Sequence, residues 1–162
     1  MRSFAYTSSP IPQIFVGQGR RLREEIAMWT FVQNTGELFH DGLREAQGYS
    51  GYNNPETGQQ GKNNPDLQNI PEVGPIPVGK YTIGSPHDTL THGPFVLPLQ
   101  PDAGNQMFGR TGFLIHGDSV VEPGTASRGC VILSRAMRND IALSGDKSLR
   151  VMSGIATDTE VA

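Results

Sequence analysis

A mainly β fold of α+β type, with one short helix, is what this sequence predicts. Three observations carry that expectation. The 162 residues include 20 glycines and 12 prolines against only 18% charged residues, which favours turns and short strands over a helical bundle. Apolar residues fall in short runs bounded by Gly, Pro, Asn and Ser rather than at sustained helical spacing. A helix-like pattern with a start and a stop signal occurs once, between Ser134 and Gly145. The length suits one domain with a single core and a tail at either end.

Along the chain, residues 1–27 sustain no two-residue or 3.6-residue apolar period and carry the cluster Arg20-Arg21-Leu22-Arg23-Glu24-Glu25, so they read as an N-terminal extension. Trp29-Thr30-Phe31-Val32 and Glu37-Leu38-Phe39 read as two strands joined by a turn at Asn34-Thr35-Gly36, whose glycine accepts a positive φ. The segment from Gly48 to Gly74, rich in Gly, Asn and Pro, reads as one long loop, a length that often marks function and that suits a cover for a cleft. Gly74-Pro75-Ile76-Pro77-Val78-Gly79 then leads into a strand over Lys80-Tyr81-Thr82-Ile83, and another is expected at Phe95-Val96-Leu97. A short apolar strand ends on His116, followed by Gly117 and Asp118. After Cys130 comes the run Val131-Ile132-Leu133, then the helix, with Ser134 as N-cap, Met137 and Ile141 one turn apart, and Ser144-Gly145 as its end. Leu149-Arg150-Val151-Met152 resumes a strand pattern. The folded domain is therefore expected over 28–155, with a C-terminal tail over 156–162. No internal repeat or low-complexity tract interrupts it.

Composition narrows the function classes. A formal net charge of −3 provides no basic field for phosphates, which argues against nucleic acid and anionic membrane surfaces as partners. No stretch approaches the ~20 apolar residues of a membrane span, and the N-terminus lacks the apolar core of a signal peptide. The expectation is a chain made in the cytoplasm, for which work elsewhere requires a dedicated export route. The lone Cys130 excludes an internal disulfide.

Cys130 lies 14 positions after His116, a spacing that suits two neighbouring elements joined by the loop from Ser119 to Ser127. A free thiol titrates near ~8.5, so a nucleophilic cysteine needs a nearby base or imidazolium, and His116 can provide it. Gly129 lets the backbone of Ser127-Arg128-Gly129-Cys130 turn sharply and aim N–H groups at one point, as an oxyanion hole requires. Once protonated, the same histidine can return its proton to a leaving amine. The competing reading makes Cys130 a buried small apolar residue and His116 a hydrogen-bonded structural one. A metal site is disfavoured, because Cys130 and the four scattered histidines lack the paired spacings of zinc sites. Asp118 has two open readings, a group that orients the imidazole or receives a substrate amine, and a turn-forming aspartate. Arg110 either binds substrate or braces the site through backbone carbonyls, with the bracing role favoured. Tyr49 and Ser50 either line the cleft or pack the long loop. His40, His87 and His92 show no partner spacing and read as surface residues.

The stretch from His116 to Ser127-Arg128-Gly129-Cys130 resembles the signature of L,D-transpeptidases, in which a histidine precedes a Ser-x-Gly-Cys element by about this distance. The strands from Trp29 to Phe39 and the segment Gly74 to Ile83 resemble earlier parts of that catalytic domain. Tyr49-Ser50-Gly51, Gly109-Arg110 and Phe113-Leu114-Ile115-His116-Gly117-Asp118 are similar to the subgroup of antibacterial effectors delivered by type VI secretion. The resemblance covers roughly Met28 to Ser153.

It implies a compact β-sandwich or barrel-like catalytic domain without cofactor or metal, with Cys130 and His116 catalytic. Gly129, Ser127 and Arg128 would form or support the oxyanion site, and Asp118, Gly117, Arg110 and Tyr49 would be candidates to orient or bind substrate. The implied reaction is attack on the diaminopimelate carbonyl of a tetrapeptide stem of peptidoglycan, with release of D-alanine or its exchange for a D-amino acid. The implied partners are type VI secretion components and a cognate immunity protein, and the implied place of action is the periplasm of a target bacterium. The chain departs from the commonest motif at Arg128, where a second histidine is usual, and at Ile132, where the housekeeping enzymes carry a substrate-binding arginine. Arg128 is the favoured replacement, and Arg135 reads as solvated surface charge. A papain-like wall hydrolase is disfavoured because its cysteine precedes its histidine. The reading from a different class is a non-catalytic wall-binding or effector-cargo module with the same fold.

Overall fold

A computed structural model describes residues 28–155. The expected extension at 1–27 and tail at 156–162 lie outside the described residues. Trp29–Val32 (β1) and Glu37–His40 (β2) form an antiparallel hairpin whose turn places Gly36 at φ 72°. Leu43–Gln47 (β3) pairs with β2, and Tyr49–Ser50 (β4) follows at once. Gly79–Ile83 (β5), His87–Thr89 (β6), Gly93–Pro101 (β7), Leu114–His116 (β8) and Val131–Ile132 (β9) precede the helix Arg135–Ser144 (α1), and Ser148–Met152 (β10) ends the fold. Over the described residues the fold is mainly β with one short α-helix, as the sequence predicts.

The strands hydrogen-bond in the order β3-β2-β1-β10-β5-β7-β8-β9-β4, with β6 beside β7. β1 buries Trp29, Phe31 and Val32 rather than alternating in and out, the pattern of a strand covered on both faces. β10 and β5 alternate, sending Leu149, Val151, Tyr81 and Ile83 into the core. The cluster continues through Leu97, Ile115, Val131 and Leu133 to Met137 and Ile141 of α1, so one apolar core runs beneath the end of β8 and the start of β9.

The helix forms where its local signals place it. The Ser134 hydroxyl accepts from the Met137 N–H at 3.1 Å, and Gly145 closes the last turn at φ 72°. Its inward face carries Met137, Arg138 and Ile141.

Several boundaries differ from expectation. β7 spans nine residues rather than three, and β3, β4 and β6 appear where no strand was expected. The segment from Gly48 to Gly74 is not one open loop. It holds β4, a bridge between Asn53 and Gln60, and a 3-10 turn at Pro65–Leu67 capped by the Asn64 side chain. Gly51, Gly61 and Gly74 leave no room for a Cβ, and Val73 is buried. This segment is a packed wall, and its Pro71 and Glu72 line the cavity at Cys130.

Candidate active site

β8 and β9 run parallel with Ile115 opposite Val131 and His116 opposite Ile132, and the Leu133 N–H donates to the His116 carbonyl at 3.1 Å. The same register sets Cys130 level with Leu114. Histidine and cysteine, 14 positions apart in sequence, therefore stand on neighbouring backbones at one end of the sheet.

Two buried serines hold the turn before Cys130. The Ser127 hydroxyl donates to the Cys130 carbonyl at 2.6 Å and accepts from the N–H groups of Gly51 and Gly129. The Ser50 hydroxyl donates to the Gly129 carbonyl and accepts from the Ile76 N–H, both at 2.8 Å. Of the two readings for Ser50, the packing role is the one these bonds describe. Gly129 sits at φ 136°, and a Cβ there would fall 2.4 Å from Arg110 Nη2, so this position takes no side chain. Its N–H is engaged by Ser127, so Gly129 serves the turn through its shape and its two bonded peptide groups.

Arg110 is buried and donates to four backbone carbonyls, those of Gln68, Pro75, Gly74 and Arg128. That is the bracing geometry favoured from sequence. It ties the wall segment to the turn before Cys130.

His116 is 3% exposed, and its Nδ1 lies 2.8 Å from the Gly117 carbonyl. A carbonyl can only accept, so Nδ1 carries the proton and Nε2 holds the free lone pair. Gly117 thus fixes the tautomer in which the imidazole is a base. Burial holds the His116 pKa below its ordinary value, and the His92 and Arg138 charges add to this against the Gly117 bond. Burial pushes the half-buried Cys130 thiol up, opposed by a backbone hydrogen bond from Leu114 and by the Arg110 charge. The resting pair is a thiol and a neutral imidazole, not the preformed ion pair that an activating imidazolium would give.

Cys130 opens on a cavity of about 460 Å³ and His116 on an adjoining one of about 690 Å³, with His92 and Arg128 lining both. The Arg128 guanidinium stacks on Tyr52 at 3.6 Å. Arg135 stacks on Phe95 at 4.4 Å, away from either cavity's lining.

Asp118 lies past the end of β8. Its carboxylate accepts from the Tyr49 hydroxyl and from the N–H groups of Ser119 and Gly124, while His116 is oriented by Gly117 instead. Burial pushes the Asp118 carboxyl up, but these bonds and the Lys62 charge outweigh it and leave it below its ordinary value. Tyr49 also accepts from the Ala126 N–H, so the Tyr49–Asp118 pair shapes the loop from Ser119 to Ser127.

Sequence reasoning missed two residues. His92, read as a surface histidine, is exposed but sits with its ring 4.7 Å from that of His116. Arg138 lies on the buried face of α1, its Nη2 against Gly117. A charge on an otherwise apolar helix face was the available signal for it; nothing local marks His92. His40 also has partners, stacking on Trp29 at 3.9 Å and meeting the Asp146 carboxylate at 3.2 Å, while His87 is exposed. Asp41 lies close enough to join His40 and Asp146 in a cluster, but the stacking and the hydrogen bond to Asp146 already account for it.

In this mainly β domain Cys130 thus stands directly before β9, and the base-form His116 ends its parallel neighbour β8, above paired cavities. A family model described as the Tlde1 domain matches residues 44–153, more than half of the chain, and the chain belongs to that family, one of type VI secretion effectors. No curated protein and no solved structure matches it. Among the described residues no helix is long and apolar enough to cross a membrane.

Proposed function

We propose that the protein is a cysteine acyl transferase that modifies peptidoglycan, acting on the diaminopimelate carbonyl of tetrapeptide stems. The observation that carries this reading is the imidazole whose Nδ1 is pinned by the Gly117 carbonyl, one strand away from the sole cysteine. In the reaction, the Cys130 thiol gives its proton to His116 Nε2 as the sulfur–carbon bond forms. The carbon–nitrogen bond then breaks, Nε2 returns the proton to the leaving D-alanine amine, and a thioester remains. Water attacking that thioester yields a tripeptide stem; a D-amino acid amine yields an exchanged tetrapeptide. Ser50, Ser127, Gly129 and Arg110 hold the nucleophile turn in shape, and Arg128 borders both cavities where a stem carboxylate can meet it.

Family membership supports an antibacterial role with a cognate immunity protein, and the peptidoglycan substrate places the action in the periplasm of a target cell. The raised thiol pKa is the observation that favours a non-catalytic wall-binding module of the same fold. One experiment separates the two. Purified wild-type and Cys130→Ala proteins are incubated with tetrapeptide muropeptides, with and without a D-amino acid, and the products are weighed. Loss or replacement of the terminal D-alanine only with the cysteine present is the expected result; intact muropeptides in every sample would leave the binding module.

A further inference from the structure

Arg138 is a buried charge, 5% exposed, yet among the described residues no carboxylate lies within ion-pair distance of it. The charge that acts on it is the like-signed Arg135. An uncompensated guanidinium in a low-dielectric site is costly unless its donors are satisfied. Here they are satisfied on one side only. Both hydrogen bonds leave from Nη1, to the carbonyls of Pro94 and Phe95 at 2.8 and 2.7 Å. Nε has no partner, and Nη2 lies beside Gly117, at a point only 2.8 Å from where a Cβ would stand. Arg110 makes the contrast: four carbonyls take up its guanidinium, and it serves as a brace. In Arg138 neither Nε nor Nη2 has a protein partner, and a guanidinium with donors left over is suited to take up a carboxylate.

Those donors belong to a residue lining the His116 cavity, together with His92, Gly117, Asp118 and Arg128. Asp118 is the carboxylate of that lining, and its oxygens are engaged by Tyr49, Ser119 and Gly124 rather than by Arg138. The cavity therefore combines a base able to protonate an amine with a buried cation lacking a counter-anion. A free amino acid, or the terminal residue of a peptide, presents an amine and a carboxylate across one carbon. We infer that Arg138 is the receptor for the carboxylate of the amino acid that leaves or enters at His116. This rests on the acyl-transfer reading and assigns its leaving-group subsite. Because departure and attack pass through the same arrangement in opposite directions, the departing D-alanine and an incoming D-amino acid occupy one subsite.

The test compares tetrapeptide muropeptides ending in D-alanine with the same stems ending in D-alaninamide, using wild-type, Arg138→Gln and Arg138→Lys proteins. Wild type is expected to favour the acid over the amide by about 10- to 100-fold in kcat/KM, the range of a charge-assisted hydrogen bond. Arg138→Gln is expected to lose that preference, and Arg138→Lys to keep part of it. If Arg138 only caps the Pro94 and Phe95 carbonyls, its replacement lowers turnover of both substrates in equal proportion and leaves the preference intact, which overturns the inference. A second arm needs no turnover: Cys130→Ala protein is titrated with D-alanine or D-alaninamide while the His116 ring signals are followed by NMR. Shifts with the acid alone support the receptor even if no muropeptide is processed, an outcome that sinks the proposed reaction and not the site. Equal response to both ligands, or to neither, overturns it.

Discussion

Burial acts on Cys130 and His116 in opposite senses and favours the uncharged form of both: it raises the thiol that would lose a proton in the proposed reaction and lowers the imidazole that would gain one. Alkylation of Cys130 by iodoacetamide is therefore expected to rise with pH through a midpoint above the ~8.5 of free cysteine. A midpoint below neutrality would mean a standing thiolate–imidazolium pair and refute this account. His92 adds a like charge beside His116 when both are protonated. His92→Ala is expected to raise the His116 pKa, which NMR titration of the ring would read, and to move the acid limb of the activity profile to higher pH. An unchanged titration would show that the neighbouring ring exerts no electrostatic effect.

At the scale of elements, the turn before Cys130 depends on side chains far away in sequence. Ser127→Ala removes the acceptor used by the Gly51 and Gly129 N–H groups and the donor to the Cys130 carbonyl. Leaving such buried groups unpaired costs about 1–3 kcal/mol each, so both the melting temperature and kcat are expected to fall. A variant with native stability and native kcat would show the turn to be held by other means. The helix offers a milder comparison: Ser134→Ala removes the cap on Met137 and is expected to cost ~1 kcal/mol in denaturant unfolding.

That helix was legible to the residue in the sequence, because its signals are local: Ser134 at the start, Gly145 at the end, Met137 and Ile141 between. β3, by contrast, consists of Leu-Arg-Glu-Ala-Gln, almost wholly exposed, and β6 is a three-residue flank of β7; neither carries an apolar alternation to read. That Cys130 and His116 come to neighbouring backbones was legible for the same reason as the helix, because both lie in one strand–loop–strand passage. Arg138 and His92 join the cavity through tertiary packing of α1 and of the loop between β6 and β7, which spacing along the chain does not encode.

For the molecule as a whole, the last strand lies inside the sheet rather than at its edge, between β1 and β5. A chain ending at Gly145 would lose Leu149 and Val151 from the core and open pairing edges on both neighbours. It is expected to show no cooperative thermal transition; a sharp one would mean that the sheet closes without β10. Stability is also expected to depend on pH at both ends. With its folded pKa depressed, His116 contributes stability that is present above the unfolded value of ~6.5 and lost as pH falls toward the folded one. With its folded pKa raised, Cys130 contributes stability that is present below ~8.5 and lost as pH rises toward its folded value. Denaturant midpoints of wild type and Cys130→Ala across alkaline pH would isolate the cysteine's share.

β1 and β10 run side by side in the same direction, with Trp29, Thr30, Phe31 and Val32 opposite Leu149, Arg150, Val151 and Met152. Tension applied before Trp29 and after Met152 drags these strands past each other lengthwise, so the ladder between them is loaded in shear and its bonds share the force. Tension applied across Trp29 and His40, which face each other in the antiparallel hairpin, peels the bonds one at a time. The domain is thus a mechanical clamp along one axis and a zipper along another, and single-molecule pulling with handles at those two pairs of positions is expected to record the larger rupture force for the first.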